Sequence, residues 1–117
     1  MDEFKQSLLL SFLTAWLEWA EADAPEDPID NFYGFVPRYA LCSNIQFYLG
    51  RLDAPDSYYG DLRGALEEAL ATDHGPTDFP FCDEATYDQM FFAGTHHRHE
   101  PRLIWVRKKI EEIKANG

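Results

Sequence analysis

The stretch from Phe4 to Ala22, FKQSLLLSFLTAWLEWAEA, constrains the fold of this chain more than any other. At the helical repeat of about 3.6 residues, its polar residues fall on one narrow line: Ser7, Ser11, Thr14, Glu18 and Glu21. Phe4, Leu8, Phe12, Trp16 and Trp19 form one apolar stripe, and Leu9, Leu13, Leu17 and Ala20 form a second beside it. A helix with a single apolar stripe lies on the outside of a domain, whereas one that is apolar around most of its circumference is buried among neighbours. The stretch is therefore predicted to be the central helix of the core, with Trp16 or Trp19, and Leu9 or Leu13, nearly inaccessible to solvent. A membrane span needs about 20 mostly apolar residues, and here Glu18 and Glu21 interrupt the run. The start, Met1-Asp2-Glu3, lacks the basic character of a secretory signal. No membrane association is expected.

The remaining chain reads as helices separated by two long loops. Asp2 or Glu3 suits the start of the first helix, because an acidic side chain complements the helix dipole. That helix should end before Pro25, since a residue preceding proline avoids helical geometry. Asp23 to Pro37, DAPEDPIDNFYGFVP, is a loop rich in proline and acid, with Phe32, Tyr33 and Phe35 expected to be pinned onto the core. A second helix begins near Pro37 and carries Leu41, Ile45, Tyr48 and Leu52 at spacings of four and three, with Gly50 as its candidate stop. A third begins near Asp56 or Ser57 as cap. It turns Tyr58, Leu62, Leu66, Ala69 and Leu70 inward and Asp61, Glu67 and Glu68 outward, and stops at His74-Gly75-Pro76. After a second loop, Asp73 to Cys82, Asp83 caps a short helix bearing Tyr87, Met90 and Phe91, with Gly94 as its stop. Pro101 opens the last helix, whose apolar stripe is Leu103, Val106, Ile110 and Ile113, with Trp105 beside it. No alternating pattern of useful length suggests a strand. The expected fold is all-α: residues 1–117 form a single compact domain of about five helices packed around a buried N-terminal helix.

Charge narrows the function classes. The chain has 21 acidic and 10 basic residues, a net charge of -11. The imbalance is uneven: Met1 to Thr95 holds 18 acids against 4 bases, and His96 to Gly117 holds 3 against 6. Nucleic acid binding demands lysine and arginine facing phosphates, so direct contact with nucleic acid is not expected. An acidic body favours a basic partner surface and speeds association with it, although net charge of this kind also serves solubility alone. The two cysteines, Cys42 and Cys82, form no C-x-x-C pair and no disulfide framework, which points to a reduced, cytoplasmic setting.

The candidate partner-binding residues are the carboxylates of the loops. Asp23, Glu26, Asp27 and Asp30 lie in the first loop, and Asp53, Asp56 and Asp61 lie around the junction of the second and third helices. Spread over one end of a bundle, they would resemble the phosphate array of a nucleic-acid backbone. Such an array would occupy the basic surface of a protein that handles nucleic acid. A competing contact surface is the basic last helix, with Arg102, Arg107, Lys108 and Lys109. The alternative function rests on His96, His97 and His99, which with Cys42 or Cys82 have the donor types of a metal-dependent enzyme or metal-binding regulator. Their spacing lacks the H-x-x-x-H or paired-cysteine form of a strong site. Cys42 falls on the apolar face of its helix, where a buried thiol is inert. The chain contains no glycine-rich phosphate loop, G-x-S-x-G or H-E-x-x-H. The reading is a non-enzymatic binding protein with no cofactor, no metal and no catalytic residue.

Two sets of segments carry a resemblance. YGFVPRYALCSNI (Tyr33 to Ile45), and FPFCDEATYDQM with HEPRLIW within Phe79 to Trp105, look like segments of small uncharacterised proteins encoded by tailed bacteriophages. The shared motifs are aromatic and structural, so no catalytic residue is carried over. The resemblance implies a viral protein of the bacterial cytoplasm. Small acidic phage proteins of this kind are often inhibitors of host defence or host enzymes, including anti-restriction and anti-CRISPR proteins. It also leaves room for a self-assembling phage component.

Overall fold

Asp2 sets the first helix, as its position predicts. In the computed structural model, which describes residues 2–22, 41, 44–93, 95 and 98–116, its carboxylate accepts the Lys5 backbone N–H at 2.8 Å. This opens α1 (Glu3–Glu21), which ends before Pro25 as expected. α2 (Ile45–Arg51), α3 (Ser57–His74), α4 (Glu84–Ala93) and α5 (Glu100–Asn116) follow. Leu41 is helical as well, and no strand occurs among the described residues. The predicted all-α fold is thus the observed one. The radius of gyration, 13.4 Å, matches the roughly 13 Å of a compact domain of this size.

The predicted central helix is central. α1 packs chiefly on α5 and α3, and α2 packs on α3. Leu8, Leu9, Phe12, Leu13, Trp16, Trp19 and Ala20 are buried on α1; both tryptophans and both leucines named from the sequence are among them. Leu41, Ile45, Tyr48 and Leu49 meet them from the second-helix region, Leu62, Leu66 and Leu70 from α3, and Trp105, Val106 and Ile110 from α5. Phe12 meets Tyr48 edge-on, with ring centroids 5.4 Å apart. Burial of one such large side chain contributes about 1.5–3 kcal/mol, so this cluster supplies the main drive to fold.

Two expected core members lie outside it. Phe4 is 46% exposed because it sits in the first turn of the helix, one turn before the buried Leu8; Tyr58 meets its ring edge-on, with centroids 5.1 Å apart. Leu52 is 56% exposed because the helix ends at Arg51 and the chain turns away.

That turn corrects a second expectation. Gly50 is an ordinary helical residue and not the stop. The left-handed residue is Asp53, at φ 52°. The Asp53 N–H donates to the Gly50 carbonyl and the Ala54 N–H to the Leu49 carbonyl, both at 3.2 Å. These two bonds are the Schellman closure of a helix, with aspartate in the position glycine usually fills. Aspartate tolerates the left-handed region better than most residues do. Asp56, expected as a cap for α3, makes no capping side-chain hydrogen bond. Its backbone is already helical, whereas a capping side chain needs an extended residue. The other punctuation holds: Gly75, at φ 76°, closes α3, and Asp83 caps α4 by accepting the Thr86 N–H at 2.7 Å. The expectations for Gly94 and for Phe32, Tyr33 and Phe35 lie outside the described residues.

Polar side chains also tie the packed segments to one another. Trp16 Nε1 donates to Asn44 Oδ1 at 3.0 Å in the centre of the core. Asp73, at the end of α3, receives Trp105 Nε1 at 2.6 Å and Lys109 Nζ at 3.0 Å, both from α5. Lys109 also donates to Glu112 at 2.9 Å.

Candidate partner-binding face

The expected contact residues divide between regions. Asp23, Glu26, Asp27 and Asp30 lie outside the described residues. Asp53, Asp56 and Asp61 are described, and the Schellman turn brings the first two together. Between α2 and α3 lies an open recess of about 550 Å³. Among the described residues, Asp53 and Asp56 bring charge to its lining, Tyr59 an aromatic ring, and Leu49, Gly50, Ala54 and Pro55 complete it. Asp61 sits further along α3, outside this lining. The recess follows directly from local sequence. The left-handed Asp53 reverses the chain, Pro55 starts the next turn by accepting the Tyr58 N–H at 3.0 Å, and Asp56 and Tyr59 then share one face of the α3 start at a spacing of three.

What sets Asp53 and Asp56 apart is that both line one recess. None of Asp53, Asp56 and Asp61 forms an ion pair with a cation among the described residues. Five other acids of the described residues are matched by bases of the same chain. Glu67 pairs with Arg63 at 2.6 Å, Glu21 with Arg107 at 3.5 Å, Glu100 with Arg107 at 3.9 Å, and Asp73 and Glu112 with Lys109. The start of α3 carries only about half a positive charge from its dipole, so two carboxylates leave this end negative.

The competing basic surface is largely engaged within the molecule. Arg107 and Lys109 pair as above, and Lys108 lies 3.9 Å from Glu112. Arg102 is not a surface cation at all, since it is 2% exposed. It sits 5.5 Å from the Phe81 ring centroid. Burial pulls its pKa down to about 10, against the opposing influence of Cys82 and Tyr87. Periodicity could have located it: Arg102 lies four residues before Val106 and eight before Ile110, on the inner stripe of α5.

Asp73 and Lys109 show what a matched pair looks like here. Burial raises the Asp73 carboxyl, but hydrogen bonds from Lys109 and Trp105 and the Lys109 charge outweigh it and hold the pKa below the ordinary carboxylate value. Burial lowers the Lys109 pKa, and the bonds to Glu112 and Asp73 outweigh it, leaving the ammonium above its ordinary value.

The metal alternative has less to stand on. His96, His97 and Cys42 lie outside the described residues. His99 Nε2 is 3.1 Å from the Phe81 carbonyl oxygen. Burial raises the Cys82 thiol above its ordinary pKa despite nearby Arg102, so the thiol is protonated at neutral pH. Among the described residues no group of three or more histidine, cysteine, aspartate or glutamate side chains converges. Nor is any helix there long and apolar enough to cross a membrane.

Tyr59, Ala54 and Pro55 escaped the sequence reading of the contact face, whereas Asp53 and Asp56 were named. Tyr59 follows the inward Tyr58 in sequence, and only the offset of one residue around the helix places it on another face. The chain matches no known protein-family model, no curated protein and no solved structure.

Proposed function

We propose that this chain is a non-enzymatic acidic binding protein that occupies a basic surface on a partner protein, with the α2–α3 end as part of its contact face. The partner is a protein that handles nucleic acid, whose basic groove the carboxylates block. The setting is the cytoplasm of a bacterial host, where a phage-encoded inhibitor of defence, of the anti-restriction or anti-CRISPR type, would act. The observation that carries the reading is the placement of two carboxylates, Asp53 and Asp56, in the lining of one open recess. Among the described residues no cation pairs with Asp53, Asp56 or Asp61, while Arg107, Lys108 and Lys109 of α5 are paired with acids of the same chain. Carboxylates left in this way form charge-assisted hydrogen bonds with incoming arginine and lysine.

The test is capture from bacterial lysate on the immobilised chain, washed with increasing salt, followed by release of bound nucleic acid from the captured protein. Capture should fail as salt screens the interface, and should fail at low salt when Asp53→Asn, Asp56→Asn and Asp61→Asn are combined. A partner that is held equally by parent and triple variant at every salt concentration would overturn the reading. So would a captured partner that keeps its nucleic acid.

A further inference from the structure

The recess between α2 and α3 has a shape and lining that a generally acidic surface would not need. We infer that it is a receptor for one arginine side chain of the partner, an anchor around which the rest of the acidic face closes. The inference rests on the binding function proposed above and specifies its chemistry.

Charge complementarity fixes the sign of the occupant. Asp53 and Asp56 both line the recess, and neither has a cation partner among the described residues. The nearest candidate from the same element, Arg63, is held at 2.6 Å by Glu67 and donates at 2.7 Å to the Tyr59 hydroxyl. The lining then selects between the two basic side chains. Leu49, Ala54, Pro55 and the Tyr59 ring present apolar surface beside the carboxylates. A lysine ammonium is compact and strongly hydrated, and gains little from such a wall. A guanidinium is planar and weakly hydrated; it stacks on apolar and aromatic surface while its five N–H groups reach more than one carboxylate. Tyr59 already takes part in this chemistry, with the Arg63 guanidinium carbon 6.0 Å from its ring centroid. Arginine in a lined recess at the centre of an interface is also the common form of a binding hot spot.

Gly50 supplies a test that leaves the charge unchanged. It lines the recess, and a Cβ built there meets nothing within 4 Å. Gly50→Leu therefore fills the recess from within a helix without removing a carboxylate. Labelled oligoarginine and oligolysine peptides of equal length are titrated against parent, Gly50→Leu and Tyr59→Leu at about 0.15 M salt, with circular dichroism confirming that each variant is folded. The parent should bind oligoarginine about tenfold more tightly than oligolysine. In Gly50→Leu the arginine peptide should fall to the level of the lysine peptide, and Tyr59→Leu should reduce the preference independently. Equal binding of both peptides by the parent would overturn the arginine receptor and leave the acidic face intact. A preference that survives in both variants would place arginine recognition elsewhere and equally overturn it. Failure of the parent to bind either peptide would remove the proposed function and this inference together.

Discussion

Replacing Asp73 by Asn should weaken the fold at neutral pH and do almost nothing in acid. The carboxylate joins the end of α3 to α5 through Trp105 Nε1 at 2.6 Å and Lys109 Nζ at 3.0 Å. Asparagine keeps an oxygen that can accept from Trp105 but loses the charge that faces Lys109. A hydrogen bond to a charged group contributes about 1.5–3 kcal/mol, and an exposed ion pair about 0.2–1 kcal/mol. Lys109 is 12% exposed and Asp73 27% exposed at their side chains, so the loss should fall between these limits, at about 1–2 kcal/mol. For a domain of this size that lowers Tm by roughly 5–10 °C.

The pH dependence follows from the signs of the two shifts. The Asp73 pKa is lowered by folding, so its contribution is complete above the unfolded value of 3.8 and disappears as pH falls through the lower folded value. The Lys109 pKa is raised, so its contribution is complete below 10.5 and disappears as pH climbs through the higher folded value. The difference between parent and variant should therefore be flat from about pH 5 to pH 9 and should shrink below about pH 4. Urea unfolding of both proteins at neutral pH and near pH 3 measures it. A difference that is absent at neutral pH, or undiminished in acid, would show that the carboxylate does not stabilise the α3–α5 contact as a charge.

Two further outcomes test the fold and the turn. Leu13→Ala removes a fully buried side chain at the centre of α1 and should cost about 2–5 kcal/mol in chemical unfolding; a loss near zero would mean that α1 is peripheral. Asp53→Gly should raise stability by about 0.5–1 kcal/mol, because glycine adopts the left-handed geometry freely. It should at the same time weaken capture of a basic partner, and a variant that is less stable than the parent would refute the Schellman assignment.

What was legible in the sequence was what local spacing encodes. The two stripes of α1 identified Leu9, Leu13, Trp16 and Trp19 as core, and Asp2, Gly75 and Asp83 marked helix ends through chemistry contained within four residues. The bonds that tie the core together depend on contacts between distant segments. Trp16 and Asn44 are 28 positions apart and Trp105 and Asp73 are 32 apart, so neither bond has a local signature. Arg102 was read by its charge, although its spacing to Val106 and Ile110 put it on the buried stripe. The acidic loop residues illustrate the same limit for the candidate site. Their number was plain from composition, but it took the reversal at Asp53 to bring two of them to a common recess and leave Asp61 apart.

α3 also separates two electrical regimes. Asp56 stands at its beginning and Asp73 in its last turn, about 25 Å apart at the helical rise. Salt limits the reach of a charge to about 8 Å under physiological conditions. The cations of α5 that balance the Asp73 end therefore exert no appreciable influence on the Asp56 end. The charge of Asp53 and Asp56 is therefore felt at the α2–α3 end alone. A basic surface within screening range of that end attracts it, turning it forward before any atoms touch. Orientation, which ordinarily slows specific association well below the rate of collision, is then partly settled during the approach.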